Sequence, residues 1–165
     1  MLQHAKGNLL DMAEQEMFDI IVHGCNCQTT MGSGIAKEIR ERFPAAFQAD
    51  IQYLMDIDGR RPAPVFKLGN YSMAPVYGQG RTLFTIINAY TQVHYLPRGV
   101  DHFEYESFKI ILRKLLAAYG DRRFGFPYIG MGLAGGKKDK IMKILEGFAA
   151  AVNERGGSVT LVEFG

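Results

Sequence analysis

Five residues at the end of an apolar run, His23-Gly24-Cys25-Asn26-Cys27, hold the most reactive side chains of this sequence. An imidazole titrates near neutrality and can pass a proton. His23 therefore has two readings, a general acid or base, or a histidine hydrogen-bonded beneath the adjoining loop to hold its shape. On an extended strand His23, Cys25 and Cys27 share one face. Three ligands without a fourth do not make a metal site, and none is expected. Neither thiol has a base and an orienting partner beside it, so both cysteines are expected as small buried residues. Spaced C-x-C, they cannot staple distant segments and stay reduced in a reducing compartment.

Two glycine-rich segments complete the chemistry. Gly32-Ser33-Gly34 opens a helical pattern and offers free amides at the positive end of a helix, a setting suited to phosphate. Residues 130–136 contain four glycines in seven positions and also precede a helix. Facing each other, the two loops could hold both phosphates of a pyrophosphate. Neither is followed by the Gly-Lys-Ser/Thr of a Walker loop.

The elements that must position these loops follow from periodicity. Phe18–His23 reads as a strand covered on both faces. Apolar positions 35, 36, 39 and 43 form one helical stripe that Pro44 ends, and residues 45–55 form a second short helix. Asp58–Pro62 is a turn. Strands are expected at Val65–Leu68, Tyr71–Val76 and Thr82–Ala89, and a long amphipathic helix over 105–119 stops at Gly120. A short strand over 124–127 leads into the second glycine loop. Ile141, Ile144, Leu145, Phe148 and Val152 mark the last helix, closed by Gly156-Gly157, and Ser158–Phe164 is the final strand. Strands alternating with helices predict an α/β sandwich on a largely parallel sheet, with ligands outside the carboxyl ends of its strands.

Composition narrows the partners. The 165 residues suit one domain spanning 1–165, and 47% hydrophobic residues supply a core. A net charge of +2 predicts no strong nucleic-acid or membrane adsorption. No apolar run approaches the roughly 20 residues of a membrane span. With no signal-peptide pattern at its first residues, the chain is expected to be cytoplasmic.

His23-Gly24-Cys25-Asn26-Cys27 followed by Gly32-Ser33-Gly34-Ile35-Ala36 resembles the first ligand loop of macrodomains, α/β/α modules that bind ADP-ribose. The form is most similar to the branch of yeast-type and phage-type ADP-ribose 1''-phosphate phosphatases. Ala5–Leu10 resembles the opening strand and turn of that family, and Ile129–Gly136 resembles its second phosphate loop. The resemblance implies a three-layer α/β/α fold with a mixed, largely parallel central sheet. It also implies adenine contacts from Asn8 and Leu9, with Phe164 closing over the base. Asn26 would lie against the distal ribose. Gly32, Ser33, Gly34 and Ile35 would cradle one phosphate, and Ile129, Gly130, Met131, Gly132 and Leu133 would wrap the other phosphate and the ribose.

The implied activity is metal-independent removal of the 1''-phosphate, with no cofactor, His23 moving the proton and Asn26 aligning the ribose. The implied partner is ADP-ribose or its 1''-phosphate, bound by a monomer. An ADP-ribosyl hydrolase acting on modified protein or nucleic acid is the first alternative. One hydrolase branch uses a lysine where this chain reads Asn88-Ala89-Tyr90, and an aspartate where it has Ala134. A non-catalytic ADP-ribose reader is the second. Many macrodomains also carry Asp at the position of Asn8, so adenine recognition here would rest on an uncharged amide.

Overall fold

Apolar residues alternate in destination along the central strands, because helices cover both faces of the sheet. In β2 (Ile20–Asn26), Ile20 and Val22 point into one cluster and Ile21 into the other; in β4 (Arg81–Gln92), Ile87 and Ala89 oppose Phe84 and Ile86. The computed structural model of the chain describes residues 1–53, 63–97, 99–132 and 134–165. The remaining strands are β1 (Gln3–Gly7), β3 (Tyr71–Gly78), β5 (Arg123–Phe126) and β6 (Ser158–Phe164). Among the described residues they form one six-stranded sheet of order β1-β6-β5-β2-β4-β3. Every neighbouring pair is parallel except β3 with β4, so the sheet is mixed and largely parallel.

Helices α1 (Leu9–Glu14), α2 (Gly34–Arg42) and α3 (Pro44–Gln52) supply Leu10, Ile39 and Ala46 to one core. On the opposite face α4 (Tyr105–Tyr119) and α5 (Lys138–Glu154) supply Phe108, Leu115, Leu145 and Phe148 to the other. The result is the expected three-layer α/β/α arrangement. Among the described residues no helix is long and apolar enough to cross a membrane.

Two differences from the sequence reading have local causes. Val65–Leu68 is not a strand: Pro64–Lys67 forms a 3-10 turn, with Pro64 pre-setting its first φ. Val65 and Phe66 are largely exposed, while the polar Lys67 turns inward. The short helix α1 arises where only a turn was read, because the Asn8 carbonyl caps the Asp11 amide at 3.0 Å. The turn expected at Asp58–Pro62 and the residue Leu133 lie outside the described residues.

Candidate functional site

The parallel strands β5, β2 and β4 are neighbours, and the segments leaving their carboxyl ends enclose a cavity of about 370 Å³. That volume falls within the range of small-molecule sites. The first segment departs from an irregularity between Cys25 and Asn26, where the register skips Thr91 and pairs Asn26 with Gln92. The Asn26 carbonyl then accepts from the Gln28 amide at 2.8 Å, and its amide donates to Thr30 Oγ1 at 2.9 Å. Asn26 thereby shapes the loop it starts, while its second amide hydrogen stays available.

The loop ends at α2. Ser33 is its N-cap residue but makes no side-chain capping bond, and Gly34 adopts φ +58°, a left-handed conformation open to glycine. The Lys37 amide, bonded to the Ser33 carbonyl at 3.3 Å, is the first to find a partner in the helical pattern. The amides of Gly34, Ile35 and Ala36 precede it and have no carbonyl four residues back, so they are left for an anion.

The second loop is held by its own backbone. The Gly136 amide donates to the Gly130 carbonyl at 2.7 Å, and the His102 amide donates to the Ala134 carbonyl at 2.8 Å. A side chain at Gly136 would strike the Gly130 carbonyl, so this glycine serves the turn. Gly132 has no atom within 4 Å of its virtual Cβ and faces open space.

Among the residues assigned by resemblance, Asn26, Gly32, Ser33, Gly34, Ile35, Ile129, Gly130 and Gly132 line one cavity. Met131 does not; it packs on the α4/α5 core. Asn8, Leu9 and Phe164 stand outside the enclosed space. The Asn8 side-chain oxygen caps α1 by accepting from the Asp11 amide, its Nδ2 donates to Glu38, and Leu9 is buried in the core cluster against which Ile35 packs. Phe164 pairs with Gly7 across the β1–β6 edge, and 79% of it lies in solvent.

His23 is 1% exposed and is not among the residues that line the cavity. Asn88 donates from Nδ2 to the Ala46 carbonyl and to Ser72 Oγ, which turns its own carbonyl toward His23. His23 Nε2 donates to that carbonyl at 2.6 Å. Burial lowers the imidazole pKa below its ordinary value, more than the Asn88 bond and the nearby Asp50 raise it. This burial and the bond to Asn88 favour the second reading of His23, a histidine that holds the shape of the adjoining loop. Burial likewise pushes the Cys25 thiol well above the usual range and Cys27 up to about 11, so neither is an activated nucleophile.

The polar chain continues from Asn88. Ser72 Oγ donates to Tyr90 OH at 2.7 Å, and Tyr90 OH donates to Asp50 Oδ1 at 2.8 Å. Lys67 Nζ meets the same oxygen at 2.9 Å. Asp50 lines the cavity together with Gln92 and Tyr95, three wall residues that the motif reading did not include. One signal was present: Asp50 stands four residues after Ala46 on the inward stripe of α3, a carboxylate where an apolar residue is expected.

Two glycine loops at adjacent carboxyl ends of a three-layer α/β/α sheet define the class, and the comparisons agree. The Macro domain family model matches residues 22–145, and this chain belongs to that family. An uncharacterized 17.5 kDa protein of the tk-vs intergenic region of Enterobacteria phage T4 is 32% identical over 135 residues, covering 79% of each chain. The macrodomain of Thermus aquaticus DarG superposes with a TM-score of 0.69 at 20% identity, over 99% of this chain and 97% of its own. Thermosipho africanus DarTG, solved in complex with ADP-ribose, gives a TM-score of 0.66 at 14% identity, over 93% of this chain and 39% of its own.

Proposed function

We propose that this macrodomain binds ADP-ribose and hydrolyses its 1''-phosphate, yielding ADP-ribose and inorganic phosphate. The observation that carries the binding is the set of unpaired amides at Gly34, Ile35 and Ala36, facing a cavity that the second glycine loop closes. Amide donors in a partly enclosed site hold a diphosphate without a counter-cation and cost no reorganisation when charge shifts on a phosphoryl group. The DarTG structure, part of which shares this fold, was solved in complex with ADP-ribose, which supports this ligand for the present cavity.

In the reaction, water attacks phosphorus and the bond from phosphorus to the C1'' oxygen breaks. Asn26 holds the ribose, and the second loop faces the departing phosphate. The sequence supports this reaction over release of ADP-ribose from a macromolecule, since the lysine of the hydrolase branch is missing from Asn88-Ala89-Tyr90 and its aspartate is Ala134 here.

The burial of His23 favours a second reading, a reader that binds ADP-ribose without turnover. Incubation with ADP-ribose 1''-phosphate, and separately with ADP-ribosylated protein and DNA, distinguishes them. Phosphate released from the small molecule supports the phosphatase. Binding of ADP-ribose with no product from any substrate identifies the reader.

A further inference from the structure

We propose that Tyr95 is a specificity residue for the distal ribose, its ring packing on the C–H face of that sugar. The proposal rests on reading the cavity as an ADP-ribose site in which Asn26 holds the distal ribose, and it names the side chain that covers the sugar.

Tyr95 stands three residues beyond the end of β4 and lines the same cavity as Asn26. Neither glycine loop contains an aromatic residue. Among the described residues Tyr95 is the one aromatic residue on the cavity wall. The fold does not account for its ring. Tyr95 is 44% exposed and belongs to none of the three hydrophobic clusters. A large ring left half in solvent at the mouth of a cavity is apolar surface still available to a ligand.

Three hydrogen bonds hold the segment that carries the ring. The Cys27 amide and Gln28 Nε2 both donate to the Val93 carbonyl, at 3.1 and 2.9 Å. Gln92 Nε2 donates to the His94 carbonyl at 2.8 Å. The Gln28 backbone amide is bonded in turn to the side-chain oxygen of Asn26 at 2.8 Å. One run of contacts therefore joins Asn26 through Gln28 to Val93, two residues before Tyr95, and the sheet register sets Asn26 beside Gln92. The side chain assigned to the ribose and the segment bearing the ring are tied together before any ligand arrives, which lowers the ordering cost of binding.

The chemistry of the ring selects the part of the ligand it meets. An aromatic face carries the negative part of its quadrupole, so it disfavours phosphate oxygens and accepts the C–H groups of a sugar. The phosphates have their amides at α2. Asn26 then meets hydroxyls at the rim of the ribose while Tyr95 covers its C–H face. Gln28 and Gln92 are positioning residues.

The test is calorimetric titration of wild type, Tyr95→Ala and Tyr95→Phe with ADP-ribose and with ADP, which lacks the distal ribose. Since Tyr95 adds to no core cluster, the three proteins should share one melting temperature. We expect Tyr95→Ala to lose about five- to tenfold in ADP-ribose affinity and no more than about twofold for ADP, and Tyr95→Phe to stay within about twofold of wild type for both. On wild type, nuclear Overhauser contacts between the Tyr95 ring protons and the distal-ribose protons read the same packing without a variant. Equal losses for ADP and ADP-ribose, no loss in Tyr95→Ala, a Tyr95→Phe protein that loses as much as Tyr95→Ala, or no such contacts in bound wild type each overturn the assignment. Wild-type protein that binds neither nucleotide removes the ADP-ribose reading itself, and this inference with it.

Discussion

His23 Nε2 lies 2.6 Å from Asn88 Oδ1, inside the sheet and behind the loop it precedes. The imidazole nearest the ligand motif in sequence thus ties β2 to β4, two of the three strands whose ends carry the cavity. Its contribution is to hold two strand ends in register.

His23→Ala should accordingly cost stability. The Asn88 carbonyl is left buried without a donor, at about 1–3 kcal/mol, measurable by denaturant titration. Affinity for ADP-ribose in the folded fraction should stay near wild type. Unchanged stability with lost turnover would return the proton-transfer role to this residue.

The same burial gives stability a pH dependence. Burial lowers the folded-state pKa of His23 below the ordinary 6.5, so the unfolded chain binds the proton first as pH falls. The histidine's contribution should be fully present above 6.5 and lost progressively below it. In denaturant titrations from pH 8 to 5, His23→Gln should flatten part of the acid limb; an identical limb in the variant would contradict the assignment.

Both cysteines should resist alkylation while the protein is folded. At pH 8 a thiol with a pKa of about 11 is ionised to roughly one part in a thousand, and Cys25 is buried as well. Iodoacetamide labelling followed by mass spectrometry should show slow modification of native protein and rapid modification in denaturant. Fast labelling of native Cys25 would mean an accessible, activated thiol.

Asn26→Ala should weaken ADP-ribose by about 1–3 kcal/mol. It removes the proposed ribose contact and also releases the Gln28 amide and Thr30 hydroxyl that the side chain now ties together. Calorimetry on a variant with an unchanged melting temperature would show this, and wild-type affinity would separate Asn26 from the ligand.

Legibility in the sequence followed the kind of signal. β3 to β6 and both long helices are visible as periodic apolar patterns, because each buries a face against a layer. Val65–Leu68 misled because a run of apolar residues after Pro64 carries no information about exposure, and Phe66 points outward. The phosphate loops are legible because backbone approach selects glycine at fixed places. Side-chain networks are not local in this way. Asp50, Lys67 and Tyr90 come from α3, a 3-10 turn and β4, and only folding brings them to one oxygen atom. His23 illustrates the converse: its sequence neighbours the motif, while its side chain faces the core.

Phe164, which the resemblance places over the adenine, lies largely in solvent at the β6 terminus. Phe164→Ala should leave stability nearly unchanged, weaken ADP-ribose, and leave ribose 5-phosphate binding as it was. Equal losses for both ligands would mean the ring acts through the fold instead of by stacking on the base.

The central claim is that the amides of the first loop hold the diphosphate, and Gly32→Val tests it most directly. The virtual Cβ of Gly32 meets nothing nearer than the Thr30 carbonyl at 4.0 Å, so the variant should fold as wild type does. Gly32 lines the cavity beside Gly34 and Ile35, where the proposed phosphate approaches the backbone, so a valine there narrows that approach. Calorimetric titration with ADP-ribose should show clear binding to wild-type protein and little or none to a folded Gly32→Val. Equal affinity in the two proteins would contradict the account and move the ligand away from this loop.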